Sequence, residues 1–365
     1  MTEEERIFRG ELFASEEPEL VEKKRRAHRL SQKYNETFED DAEVREAILR
    51  ELLGELLLRP RLQDGIFAEE YVSGERANLV DRIRGQINDK RSYATLRLGQ
   101  LMCGEEAFGV DKLGDVEHAA AVTPGSLWER YQQLLSTAQI ELYYCGSAEE
   151  ERVARALKEA LSALPVNEGR ICPDCEVRLH AGPEPSMVEE SMDVTQGKLA
   201  MGFRTGGVTC WEEEYPAMAM CNAVFGGTTL SKLFMNVREK LSLCYYASST
   251  LEKMKGLILV SSGIEFDKFQ QARDEILHQL EEIRQGNMED WELEGTRRTM
   301  IGAHLATLDV QDRQEDFWLG QTAAGLETGI EELVAQLEQV TREQVAQAAQ
   351  KLELDTIYFL KGTEG

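Results

Sequence analysis

Twice along this 365-residue chain the same order of elements recurs, and each pass closes on Val-Thr, a helix and a short aromatic strand. In the first pass, apolar residues at Val44, Ile48, Leu52, Leu53 and Leu56 predict a helix that Pro60 stops. An acidic helix from about Phe67 to Asn88 and a third from Tyr93 to Cys103 follow. Val122-Thr-Pro-Gly-Ser then predicts a capped helix with Pro just inside its start, and residues 140–146, Ile-Glu-Leu-Tyr-Tyr-Cys-Gly, a strand. The second pass begins with a helix carrying Phe269, Ala272, Ile276, Leu280 and Ile283 on one face. Helices from about Asp290 to Leu308 and from Asp312 to Ala324 come next, then Val340-Thr-Arg-Glu-Gln-Val and the strand Thr356–Lys361. An order repeated over ~100 residues, even at low identity between the halves, predicts duplication of a whole domain.

Length is consistent with two domains of ordinary size. The sequence predicts a charged N-terminal arm or helix over 1–41, a first half over 42–163, a linker over 164–191 rich in Pro, Glu and Gly, and a second half over 192–365. Lys198–Arg204 and Leu257–Ser262 read as strands beside Ser242–Thr250, whereas the first half shows no comparable strands before its first helix. The fold class expected is α+β, two related halves of antiparallel sheet and helices, the first lacking its opening strands. With 41 basic and 67 acidic residues the net charge is −26, which argues against nucleic acid or an anionic membrane as the main partner. No apolar run approaches the ~18 to 20 residues that span a bilayer, and no leader pattern opens the chain, so a cytoplasmic location is expected. The seven cysteines, odd in number and mostly in apolar sequence, read as reduced thiols.

Residues 226–246 carry the sharpest functional signal: Gly-Gly-Thr-Thr-Leu-Ser-Lys-Leu-Phe-Met-Asn-Val-Arg-Glu-Lys-Leu-Ser-Leu-Cys-Tyr-Tyr. A helix is predicted over Ser231–Lys240, with Leu230, Leu233, Phe234 and Val237 on its apolar face and Arg238 near its end. Tyr245 follows seven residues after Arg238. A guanidinium and a phenol can both donate to a carbonyl oxygen, but neither is a good base or nucleophile near neutral pH. The pair suits binding rather than bond breaking. Gly226 and Gly227 are expected to turn the chain between two helices, and Trp211 to pack.

This run resembles the C-terminal half of the pitrilysin and insulinase family of zinc peptidases, the inverted zincins, and is most similar to their non-catalytic bacterial members, one of which is named for an association with modification of elongation factor P. There a Gly-Gly, a Ser-Arg/Lys-Leu-Phe helix and an Arg with a Tyr seven residues on recur together. The resemblance implies a clamshell of two α/β halves and a role for Arg238 and Tyr245 in holding substrate backbone near a zinc ion. It covers about Val44 to Gly365 in order of elements, and only Gly226 to Tyr246 in motif.

Catalysis in that family needs His-x-x-Glu-His on one helix and a third acidic ligand from a later one. The five histidines are His28, His118, His180, His278 and His304, and no two lie four apart. Glu117-His118 imitates only the end of the motif, with Gly114 where the first His belongs. In the family the third ligand lies seven residues after another acidic residue. Here Glu75 matches the upstream position and Arg82 occupies the ligand position, a cation that would repel zinc, while Asp81 is turned by ~100°. Cys172-Pro-Asp-Cys175 supplies two metal ligands where a structural site wants four. His278 reads as solvated and His304 as packed. No Gly-x-Ser-x-Gly, phosphate loop or dinucleotide fingerprint is present.

The expectation is a non-catalytic subunit of a zinc metallopeptidase pair. It would position a peptide or unfolded polypeptide through Arg238 and Tyr245 for an active paralogue, with no catalytic residue, no metal and no cofactor on this chain and zinc on the partner. Two other readings stand beside it: a non-enzymatic peptide-binding or scaffold protein of the same fold, and an active zinc peptidase truncated at its N-terminus, against which Arg82 argues.

Overall fold

A computed structural model describes residues 57–60, 62–145, 149–164 and 175–363. The helix expected over Val44–Leu56 and the arm over 1–41 lie outside them. In chain order the elements are β1 (Leu62–Gln63), β2 (Ile66–Phe67), α1 (Glu69–Gly85), α2 (Lys90–Met102), α3 (Val116–Ala121), α4 (Pro124–Thr137), α5 (Glu150–Ala160), β3 (Ser186–Met192), β4 (Gly197–Arg204) and α6 (Tyr215–Asn222). Two stretches wound with the wider π repeat follow, Ala223–Gly227 and Leu233–Lys240, then β5 (Cys244–Glu252), β6 (Leu257–Ile264), α7 (Phe269–Arg284), α8 (Asp290–Leu305), α9 (Gln311–Ala324), α10 (Ile330–Gln339), α11 (Arg342–Gln350) and β7 (Glu353–Gly362). The chain is α+β, as the sequence predicts, and divides into two compact units.

One unit comprises residues 1–84 and 113–173. Its described part holds the hairpin β1–β2 and helices α1, α3, α4 and α5. Helix α4 starts as the sequence predicts: Thr123 caps it by accepting from the Ser126 amide at 3.2 Å, and Pro124 sits where a missing N–H costs nothing. Phe67 meets Trp128 and Tyr131 edge-on at 5.3 and 5.5 Å between ring centroids, which fixes the hairpin against α4. The strand predicted over 140–146 is absent from the described residues 140–145, where Leu142 is 46% exposed. Alternating apolar residues give a strand only when a neighbouring ladder satisfies its backbone, and periodicity says nothing of that neighbour.

The other unit comprises residues 85–112 and 174–365. Its five strands run in the order β3-β7-β4-β6-β5, with β3 parallel to β7 and the rest antiparallel. The strand period of two sorts the side chains. Leu199, Met201 and Phe203 on β4, Ile258 and Val260 on β6, and Ile357 and Phe359 on β7 join the core formed with α6, α7 and α11. Ala200, Leu257, Leu259, Tyr358 and Leu360 point the other way, onto Ala94, Leu98 and Met102 of α2. Small residues on β4 make room for that helix: a Cβ on Gly202 would lie 2.5 Å from the Met102 sulfur.

Two boundaries differ from the sequence reading. Helix α2, expected in the first half over 42–163, packs on this sheet and belongs to the second unit. Ser186–Met192, expected in the linker over 164–191, is strand β3. Its outward face is polar, so it lacks the apolar run that marks the inner strands.

A buried ionic set ties α2 and the loop after it to the sheet. The Arg204 guanidinium, fully buried, donates to Asp355 Oδ2 at 2.7 Å, to Glu106 Oε1 at 2.8 Å and to the Met102 carbonyl at 3.0 Å. Lys255 lies 2.5 Å from Glu106 Oε2 and also donates to the Glu176 carbonyl. A second node sits at the far side of α2, where Arg97 pairs with Glu190 at 2.7 Å and the Tyr358 hydroxyl donates to Glu190 at 2.9 Å. Burial pushes the Glu106 carboxyl up, but Arg204 and Lys255 outweigh burial and hold it below its ordinary 4.5. Its stabilisation is therefore complete above pH 4.5 and lost as pH falls through the depressed value. Glu106→Gln is expected to cost about 3 kcal/mol at pH 7, the scale of a broken buried pair. Urea unfolding at pH 7 and at pH 3.5 checks it, and the gap between variant and parent should narrow at the lower pH.

Candidate peptide-contacting edge at Arg238 and Tyr245

The site is built where the π-wound helix Leu233–Lys240 hands the chain to β5. The stretch before it, Ala223–Gly227, lies directly on that strand, since a Cβ on Gly226 would stand 2.6 Å from the Ser249 amide nitrogen and 2.9 Å from Leu233 Cδ1. Neither Gly226 nor Gly227 has positive φ. Their expected role in turning the chain gives way, at Gly226, to close approach of two backbones.

The helix begins two residues later than the sequence predicts, at Leu233 rather than Ser231. Leu233 and Val237 of its apolar face are fully buried, and Phe234 is half-buried. Lys232 is buried, with its ammonium 3.2 and 3.3 Å from the two carboxylate oxygens of Glu292. Glu292 also accepts the Glu289 amide at 2.7 Å in the capping box of α8. Asn236 donates to Gln279 of α7 at 2.7 Å. Nothing in the local pattern marked Lys232 or Asn236, because their partners lie 60 and 43 residues away.

Arg238 occupies the last turn of this helix. Its guanidinium lies 4.6 Å over the Phe234 ring and its Nε 3.5 Å from Glu239 Oε1, with the side chain 40% exposed. The Arg238 carbonyl accepts from Ser242 at 3.1 Å, and the Leu243 amide donates to Val237 at 3.0 Å. Ser242 has φ +50, the left-handed conformation that reverses the chain into β5.

Tyr245 is the extra residue of a β-bulge. Cys244 pairs with Ile264 and Tyr246 with Gly263, so Tyr245 faces no partner across the ladder. The strand is the outermost of its sheet, and Tyr245 is 61% exposed. The next residue is clamped: Arg91 lies 4.1 Å over the Tyr246 ring and donates to Ser248 Oγ at 3.1 Å, and a Cβ on Gly263 would come within 2.5 Å of that ring. With Cys244 buried on one side and Tyr246 held on the other, the bulge leaves Tyr245 exposed on the strand that follows the Arg238 helix.

The remaining candidates are dispersed. Glu75 and Arg82 are exposed on α1, with Arg82 in its last turn and Asp81 exposed beside it. His118 Nδ1 lies 2.5 Å from Asp115, which caps α3, and His180 Nδ1 is 2.9 Å from Glu353. His278 is exposed. His304 is half-buried, and burial followed by the Lys253 charge pushes its imidazole down. Cys175 Sγ contacts the Met254 carbonyl at 3.3 Å, while Cys172 and His28 lie outside the described residues. Trp211, expected to pack, is 43% exposed and donates its Nε1 to the Ala324 carbonyl at 2.7 Å. Among the described residues no group of three His, Cys, Asp or Glu could hold a metal ion, and no helix is long and apolar enough to cross a membrane.

Comparison with known proteins places these features in context. Residues 121–300 match a family model described as the peptidase M16 inactive domain. Residues 6–56, outside the described part, match a maltose acetyltransferase hexapeptide capping motif. The chain is 37% identical over 317 residues to the probable inactive metalloprotease YmfF of Bacillus subtilis, covering 86% of this chain and 73% of that protein. An uncharacterized zinc protease of Mycobacterium tuberculosis is 21% identical over 292 residues, 79% of this chain and 66% of its own length. Among solved structures, a conserved protein from Enterococcus faecalis matches with TM-score 0.80 and 28% identity over 88% of this chain and 75% of its own. A putative M16-like peptidase from Alicyclobacillus acidocaldarius shares the fold, with TM-score 0.64 and 17% identity over 92% and 86%.

The close contact at Gly226 yields a direct test. Gly226→Ala is expected to destabilise the protein by about 1–3 kcal/mol, as overpacking does, and to loosen the helix end beside β5. Urea unfolding gives the first quantity and amide exchange across 233–250 the second.

Proposed function

The chain belongs to the peptidase M16 family, as a non-catalytic member, and from that premise we propose that it is the silent subunit of a zinc metallopeptidase pair in the cytoplasm. It holds peptide or unfolded polypeptide for a paralogue that carries the zinc and cuts. The observation that carries this reading is the bulge at Tyr245. It exposes a phenol on an edge strand that directly follows the helix bearing Arg238. Both groups donate hydrogen bonds and neither can act as general base at neutral pH, so they suit orienting a substrate carbonyl while chemistry proceeds elsewhere. The cation at Arg82, where a family member would place its third ligand, fits the same division of labour.

On this reading the double variant Arg238→Ala, Tyr245→Phe lowers kcat/KM of the assembled pair about tenfold or more, the worth of one or two charge-assisted or neutral hydrogen bonds to bound substrate. The measurement is a fluorogenic peptide assay on the pair purified from the native host, alongside zinc analysis of each subunit. An unchanged rate removes the role assigned to Arg238 and Tyr245. A chain that purifies with no zinc-bearing paralogue removes the pairing itself and leaves a binding or scaffold protein.

A further inference from the structure

A cavity of about 660 Å³ opens among the helix ends of the second unit, and neither Arg238 nor Tyr245 lines it. That volume is in the range of small-ligand pockets, room for the end of a peptide but not for a folded partner. Two of its walls are aromatic and fixed. Trp211 is tethered through its Nε1 to the Ala324 carbonyl, and Phe317 packs edge-on against Trp318 at 5.3 Å. Between them Val208, Leu326, Leu333 and Val340 supply apolar surface.

Several polar side chains of the lining have no protein partner among the described residues. Glu214 pairs with Lys351 at 2.6 Å, but the carboxylates of Glu212 and Glu213 have no ion pair among the described residues. Lys253 likewise has none, although it is only half exposed and sits by His304, whose imidazole burial and the Lys253 charge push down. The side-chain amides of Gln336, Gln339 and Gln347 also lack hydrogen-bond partners there. A pocket with fixed apolar walls therefore offers one unpaired cation, two unpaired anions and three free amides. No small anion or simple cation uses all of these.

We infer a second binding site, for the carboxyl end of a peptide that finishes in a basic residue. The terminal carboxylate meets Lys253. The side-chain cation reaches Glu212 and Glu213, with its aliphatic stem along Trp211 and Phe317. The last peptide groups are served by Gln336, Gln339 and Gln347. The site is independent of the edge at Arg238 and Tyr245, so either can fail alone.

The test is fluorescence anisotropy on the full chain with a dye-labelled hexapeptide ending in Arg as a free acid. The same peptide amidated, and one ending in Glu, are each expected to bind about tenfold or more weakly, the scale of one lost charge-assisted contact. These ligand comparisons use the unaltered protein and do not depend on a variant folding. Lys253→Met is expected to erase the preference for free acid over amide while keeping that for Arg over Glu, and the double variant Glu212→Gln, Glu213→Gln to do the reverse. Absence of saturable binding, equal binding of the amidated peptide, or competition by spermidine at the same concentration as the peptide would each overturn the proposal.

Discussion

One buried cation sets the relation between helix α2 and the sheet beneath it. Arg204 has no access to solvent, so its charge must be answered by protein groups, and its partners come from three separated places: Asp355 on β7, Glu106 in the loop after α2, and the last carbonyl of that helix. Lys255, from the turn between β5 and β6, completes the set at Glu106. Two cations and two carboxylates leave no net charge in the interior. Desolvating four ions consumes most of what their attraction returns, so the cluster adds little net stability as a whole. Removing any one member is another matter, because it strands the others in a low-dielectric site. Around this cluster the apolar contacts of Leu98 and Met102 with Ala200 and Tyr358 have one geometry available to them.

The inner strands are legible because both faces are buried and their residues form short continuous apolar runs, and the helices of the second unit because their apolar periods are long and their caps explicit, as at Thr341 before α11. What escaped was whatever depends on distant partners. Arg204, Lys232 and Lys255 are buried, each answered by a residue at least 60 positions away that no local pattern reveals. Helix α2 reads as a helix in sequence, but its amphipathic face does not say which sheet it will cover, and it packs in the second unit. Strand β3 reads as linker in sequence because only one of its faces meets apolar neighbours. At the candidate edge, the spacing from Arg238 to Tyr245 was visible, but the bulge was not: an inserted residue in a ladder shows only against the strand it pairs with.

The bulge bears on why such a pair of residues can persist in a chain without chemistry of its own. In a regular strand, Tyr245 would alternate onto one sheet face and be covered or paired there. As the supernumerary residue it is released from the ladder while its neighbours stay fixed, Cys244 in the core and Tyr246 beneath Arg91. Arg238 is presented in a comparable way, from a helix anchored by the buried Lys232–Glu292 pair and ended by a left-handed Ser242. Both donors thus stand on well-packed supports, and in the proposed role such supports would lower the entropic cost of engaging a flexible peptide. A chain that contributes only orientation has no use for a tuned base or a metal, but it does need donors that do not move. The packing that holds the two backbones is remote from the donors themselves: Gly226 lies against Ser249, Gly263 against the Tyr246 ring, and Lys232 against Glu292.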